Sequence, residues 1–326
     1  MGNSPAETLR DLANAHAGAR CLHVVAELGV ADALGAEPLT AAELAAGCGA
    51  DAAALHRLLR LLAAHGIFAQ DGDRYSHTEA SLLLRTDHPH SMRAFVRMIG
   101  MPIVWRGFTG LEQAARTGHS PVDWRSMLEY FEAHPDENTL FTQAMVGKSE
   151  VVVPAVVAAY DFSGFETIVD VGGGRGHLLQ ALLPRAPRTT GILFELPHVI
   201  EDAAPAASER LVLAPGDFFV DPLPRADAYV LMEVLHDWDD AHARQILTAV
   251  RRAAPAQARL LIVEAVVSVE PGPAFGKTLD VIMLAITGGR ERTEAEYAAL
   301  LRETGFELER VVPTPAQYSL LEAVAV

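Results

Sequence analysis

The first hundred residues carry apolar positions at the spacing of short helices. From Glu7 to Leu34, the residues Leu9, Leu12, Leu22, Val25, Leu28 and Val30 make an apolar surface wider than one amphipathic stripe needs. That surface is expected to be buried against a second copy of the chain. Thr40-Ala41-Ala42-Glu43 reads as a capping box opening a short helix. Asp51 caps a second helix, with Leu55, Leu58, Leu59 and Leu62 on one face. Ile67-Phe68, a turn at Asp71-Gly72-Asp73 and a short strand around Tyr75 complete a unit of two helices and a hairpin, a winged-helix-like order. Residues 91–150 read as mostly helical and are rich in Met98, Met101, Trp105, Phe108, Phe131, Phe141 and Met145. These side chains suit a helical core and, as a set, the wall of a pocket for a flat aromatic ligand.

From Phe165 the pattern becomes strand–helix alternation. Strands are predicted at 167–171, 190–195, 210–214, 227–232 and 258–264, followed by a helix over Glu294–Arg302 and two antiparallel strands at 306–312 and 318–325. The implied architecture is α/β: a parallel sheet with a C-terminal antiparallel hairpin, preceded by an α-helical, winged-helix-like domain. The boundary is expected at 95/96, with 96–150 as a helical, pocket-forming part of the second domain.

One stretch changes the picture from fold to chemistry. Ile168-Val169-Asp170-Val171 runs into Gly172, Gly174 and Gly176, and Leu178, Leu179, Leu182 and Leu183 then recur at helical spacing. A strand, a tight glycine turn and a helix make a nucleotide-cofactor site, because glycine lets the backbone turn sharply and approach a ligand. A dinucleotide site reads G-x-G-x-x-G; the spacing here is D-x-G-x-G-x-G.

Further polar residues fall at the carboxyl ends of the predicted strands, where open parallel sheets bind ligands. Glu195 can accept hydrogen bonds from a ribose diol. Asp217 and Phe218 can hold an adenine amine and ring. His236 follows the fourth strand in Leu235-His236-Asp237-Trp238, Glu264 ends the fifth, and Glu291 lies in Gly288-Gly289-Arg290-Glu291-Arg292-Thr293. A histidine there, with two carboxylates near, suits a general base.

Composition narrows the partners. A net charge of −16 disfavours nucleic acid and anionic membrane surfaces. Arg57 and Arg60 are the only basic residues on the helix that would read DNA, and Asp71, Asp73 and Glu79 crowd the wing, so no nucleic-acid partner is expected. Cys21 and Cys48 have no metal-ligand spacing, and no metal is expected. The start of the chain, Met1 to Glu7, lacks a leader pattern, and the apolar run Val151–Val157 looks too short to span a bilayer and contains Pro154. A cytoplasmic protein without a membrane partner is the expectation.

Taken together, Val169-Asp170-Val171-Gly172-Gly173-Gly174-Arg175-Gly176, Glu195-Leu196-Pro197, Gly216-Asp217-Phe218-Phe219, Leu235-His236-Asp237-Trp238 and Gly288–Thr293 resemble the plant caffeate and flavonoid O-methyltransferases and the bacterial antibiotic-pathway O-methyltransferases. The resemblance covers nearly the whole chain. It implies a Rossmann-like methyltransferase sheet, S-adenosylmethionine (SAM) as cofactor, a homodimer, and an aromatic, phenolic acceptor from secondary metabolism. It makes His236 the catalytic base flanked by Glu264 and Glu291. Gly172, Gly174, Gly176, Glu195, Asp217, Phe218 and Met232 become the SAM contacts, and Phe141, Met145, Asp237 and Met283 the acceptor contacts. Two departures stand out: Met232 occupies the place of a lysine in plant members, and Glu195 that of the commoner aspartate. Three rivals remain open: an NAD-dependent oxidoreductase, which the glycine spacing disfavours; a ligand-binding winged-helix regulator, which the acidic wing disfavours; and a family member that has changed its reaction.

Overall fold

The computed structural model describes residues 4–326; Met1–Asn3, where the stretch read for a leader begins, lie outside them. The chain forms two compact units, Met1–Trp105 with Tyr130–Lys148, and Arg106–Glu129 with Ser149–Val326. Residues 96–105 and 130–148 therefore group with the N-terminal unit, not with the second domain as a boundary at 95/96 would have it. Part of the cause is the helix Arg93–Ile99, which is bonded to the N-terminal helix Pro5–Glu27. Arg93 Nε donates to Ala26 O (2.9 Å) and Arg97 Nε to Glu27 Oε2 (2.7 Å).

In the first unit, Thr40 and Glu43 form the expected capping box and Asp51 accepts from the Ala54 N–H (2.8 Å), opening helices Ala41–Cys48 and Ala52–Ala64. Strands β1 (Leu39–Thr40), β2 (Phe68–Asp71) and β3 (Arg74–His77) pair antiparallel in the order β1-β3-β2. The core joins Val25, Val30, Leu34, Leu44, Leu55, Leu59, Leu62, Phe68 and Tyr75. This corrects the reading of the 9–34 surface. The helix stops at Leu28, Gly29 turns with φ +67°, and Val30–Ala33 folds inward, so Val25 and Val30 are wholly buried within the unit. Only Leu9 (71% exposed) and Leu12 (75% exposed) keep the outward apolar character expected of a contact surface.

The second unit holds seven strands: β4 (Thr167–Val171), β5 (Thr190–Glu195), β6 (Leu211–Pro215), β7 (Ala228–Met232), β8 (Arg259–Glu264), β9 (Phe306–Pro313) and β10 (Ser319–Ala325). Each lies within one residue of its sequence-read bounds. Their order is β6-β5-β4-β7-β8-β10-β9, with β4 to β8 parallel and β10 antiparallel to both neighbours. The period of two sends alternate residues to opposite faces. Val169, Val171, Leu231 and Ile262 pack with the helix Asp240–Ala253, whereas Ile168, Val230, Leu261 and Val263 pack with His177–Leu182 and Phe275–Ile286. The chain turns to opposite sides after β4, with β5 on one side and β7 on the other, which opens a crevice at the strands' carboxyl ends.

One apolar run differs from its reading. Val151–Val157 is not a short isolated stretch but part of the helix Pro135–Ala159, which by length and composition could cross a membrane. The helix continues through Pro154, and its Val152, Val153, Val156 and Val157 sit in the second unit's core.

Candidate active site

The glycine turn follows β4. Gly172, Gly174 and Gly176 have φ of +71°, +56° and +75°, a region that side-chain-bearing residues rarely adopt. Gly172 N–H donates to Phe194 O (2.8 Å) and Gly176 N–H to Gly173 O (2.9 Å), which closes the turn on itself. A fourth glycine, absent from the D-x-G-x-G-x-G reading, is equally constrained. A Cβ on Gly173 would overlap the Asp170 carboxylate and come within 2.7 Å of Leu193 Cδ1. Asp170 is buried beneath the turn, and neither of its carboxylate oxygens has a partner. Burial, reinforced by the charge of Glu195, pushes its pKa up to about 7.

Above the turn the space is open: a Cβ on Gly174 would meet no protein atom within 4 Å. Glu195, at the end of β5, faces the same glycine. Its Oε2 accepts the Gly174 N–H (3.0 Å) and its Oε1 the Leu196 N–H (2.7 Å), while burial raises its pKa. Each oxygen keeps a second acceptor site. On the other side, the Gly172 Cα stands so close to Phe218 and Val234 that a Cβ would lie 3.6 Å and 3.1 Å from them. Phe218 meets Trp238 edge-on at 6.3 Å, and Asp217 Oδ1 accepts the Phe219 N–H (2.8 Å), bracing the loop after β6. Met232 ends β7, half-buried. An open cradle, a fixed carboxylate beside it, an unpaired buried acid beneath and an aromatic wall fit a cationic adenosyl ligand. Val234 and Trp238 had no sequence signal beyond their nearness to His236.

Three further predicted residues converge within this unit. His236 is 4% exposed, and its Nδ1 lies 2.8 Å from Glu291 Oε1 and 3.3 Å from Glu264 Oε2. Glu264 Oε1 accepts the peptide N–H groups of Val234 (3.1 Å), Leu235 (2.9 Å) and His236 (3.3 Å). One oxygen thus holds the turn and the other lies beside the imidazole. Glu291 N–H donates to Asp280 Oδ1 (2.9 Å), which anchors it to the helix Phe275–Ile286. Burial alone would lower the His236 pKa, but Glu264, the hydrogen bond to Glu291 and Asp237 outweigh it and lift it to about 10. Burial, with Glu291 and Glu233 nearby, raises Glu264 against the opposing pull of His236.

The Nδ1–Glu291 bond leaves Nε2 as the imidazole nitrogen available to a ligand; Asp237 Oδ1, 3.8 Å away, is too far to bond it. The donor atoms of the triad lie within 4.8 Å of one another, a metal-like spacing. Here, however, Nδ1 and Glu264 Oε1 are already committed to protein hydrogen bonds. Met283 is buried on the same helix as Asp280, with Thr287 Oγ1 donating to its carbonyl (3.0 Å). Phe141 and Met145 belong to the first unit, where Phe141 packs 4.8 Å from Phe131.

Known proteins bear on this geometry. A family profile described as the O-methyltransferase domain matches residues 111–307, and one described as the O-methyltransferase dimerisation domain matches residues 10–87. The chain belongs to the O-methyltransferase family. It is 40% identical to a phenazine O-methyltransferase of Lysobacter antibioticus, over 93% of this chain and 91% of that protein. It is 37% identical to a mitomycin biosynthesis 6-O-methyltransferase of Streptomyces lavendulae, over 95% and 91%. Its fold matches the crystal structure of NcsB1, an O-methyltransferase from neocarzinostatin biosynthesis in complex with SAM and 2-hydroxy-5-methyl naphthoic acid. That match has a TM-score of 0.80 at 34% identity and covers 95% of this chain and 96% of that one. The enzyme is a SAM-dependent O-methyltransferase of the natural-product biosynthesis type, with an N-terminal dimerisation domain.

Proposed function

We propose that this enzyme methylates a phenolic hydroxyl of an aromatic natural product, with His236 Nε2 as the general base. The observation that carries this reading is the buried Glu291–His236 pair at 2.8 Å, with Glu264 beside it, at the carboxyl ends of β7 and β8. When bound, SAM supplies an electrophilic sulfonium methyl. The glycines at 172, 174 and 176, the acids Glu195 and Asp217, and Phe218 and Met232 would hold it. His236 takes the acceptor's proton at Nε2, while Glu291 fixes the tautomer and both glutamates stabilise the imidazolium. A phenol with a pKa of about 10 opposes an ordinary imidazole of about 6.5, a mismatch of ~5 kcal/mol. The carboxylates that lift His236 to about 10 remove most of that mismatch. Asp237 and Met283 contact the acceptor.

Mass spectrometry of products from a phenol panel with isotope-labelled SAM tests the assignment. Methyl incorporation at an aromatic oxygen is the expected result. Labelling of an aromatic amine or a carbon, with no oxygen product, would overturn it.

We also propose a homodimer, supported by the dimerisation domain at residues 10–87 and by the outward Leu9 and Leu12. Obligate interfaces exceed about 2,000 Å², so a dimer mass is expected at micromolar concentration. Leu9→Glu/Leu12→Glu should weaken it measurably by light scattering. A monomeric wild-type mass would rule the dimer out.

A further inference from the structure

The turn that carries His236 is gripped by a side chain to which the motif assigns no role. Arg292 follows Glu291 directly and is 1% exposed. Its Nη1 donates to the carbonyls of Leu235 (3.0 Å) and Arg290 (3.3 Å), its Nη2 to the carbonyl of Trp238 (3.0 Å), and its Nε to Asp240 Oδ1 (2.9 Å). Leu235 and Trp238 bracket His236 and Asp237, so one planar group holds the turn from both ends. Backbone bonds complete the frame: Arg290 N–H donates to His236 O (2.8 Å) and Val267 N–H to Arg292 O (2.9 Å). The Tyr297 ring closes the far side, 6.0 Å from the guanidinium carbon.

Burying a guanidinium is costly unless its donors are used, and the one carboxylate it meets is partly exposed. Packing alone would be served by an apolar side chain of similar volume. The particular property of arginine here is a rigid fork that reaches three carbonyls and a carboxylate at once, which a lysine cannot do.

We propose that Arg292 is a positioning residue for methyl transfer: it locks the His236 turn to the Glu291 segment, so that the Nδ1–Oε1 bond is formed before the acceptor arrives. The proposal rests on the reading of His236 as base. A misplacement of about 1 Å at a reacting group can cost roughly 10²-fold in rate.

The test compares Arg292→Lys, Arg292→Ala, His236→Ala and Arg244→Ala. Arg244, on the same helix as Asp240, bonds the exposed Glu303 (2.6 Å) and no part of the turn, and it serves as the control. Arg292→Lys should stay folded and bind SAM within about twofold of wild type, with turnover down about 10²-fold on a weakly acidic phenol. Its rate inflection should move down towards the ordinary imidazole value, because Glu291 no longer stands fixed at Nδ1. Added ethylguanidinium should restore part of the rate of Arg292→Ala, and Arg244→Ala should turn over at close to the wild-type rate.

A wild-type rate and inflection in Arg292→Lys, with His236→Ala inactive, would overturn this inference and leave the base assignment standing. A fully active His236→Ala would instead remove the reading beneath it. An Arg292→Lys that yields no folded protein, or an Arg292→Ala that guanidinium leaves unrescued, would reduce Arg292 to a structural residue and also overturn the proposal.

Discussion

His236→Ala should lower turnover by roughly 10²–10⁴-fold, the usual contribution of a positioned general base, while SAM binding stays close to wild type. Binding should survive because the cradle is built elsewhere, from the β4 turn, Glu195 and the loop after β6. The pH dependence has a definite sign. The reactive state carries a neutral imidazole with a phenol, or imidazolium with a phenolate at the same proton count. The wild-type rate therefore rises as the resting imidazolium loses its proton. Because Glu264, Glu291 and Asp237 favour that proton, with the pKa lifted to about 10, the rise should extend well above pH 6.5. The loss in His236→Ala should shrink for more acidic phenols, which arrive ionised. A His236→Ala enzyme that methylates a weakly acidic phenol at the wild-type rate would remove proton abstraction from the mechanism.

Gly174→Val should weaken SAM binding at least about 100-fold, as measured by calorimetry, and leave a folded protein. Two features combine. The backbone at Gly174 has φ +56°, which a β-branched residue adopts only with strain of about 1–3 kcal/mol. A Cβ there meets no protein atom within 4 Å, so the branch point of the new side chain enters open space on the side assigned to the cofactor. At Gly173 the same change would instead strike Asp170 and Leu193, where lost binding and lost folding could not be told apart. Unchanged SAM affinity in Gly174→Val would place the cofactor elsewhere.

Much of the sheet was legible because each strand announces itself locally. Short apolar runs such as Ile168-Val169-Asp170-Val171 and Leu260-Leu261-Ile262-Val263 mark strands buried on both faces, whatever their partners. The glycines were legible for a similar reason, since positive φ leaves a direct mark on residue type. The N-terminal apolar surface was misjudged because periodicity reveals that a face is buried, not by what. Val25 and Val30 are satisfied within the chain once Gly29 turns it back, and only Leu9 and Leu12 face outward. The run Val151–Val157 was legible as apolar but not as part of a longer helix, which buried valines on either side of Pro154 carry through it.

By itself, the sequence determined the strands and their bounds, the glycine turn, and the chemistry-bearing residues at strand ends: Glu195, Asp217, His236 and Glu264. These depend on neighbours within a few positions, where steric and periodic rules act. Only the tertiary structure decided that Glu291, 55 residues beyond His236, stands 2.8 Å from its Nδ1, and that Glu264 divides its two oxygens between the turn's peptide groups and the imidazole. It alone revealed Asp170 beneath Gly173 and Arg292 across the His236 turn. Hydrogen bonds between distant segments leave no periodic trace along the chain, because their geometry is set by how the sheet orders its strands and where the connecting loops close.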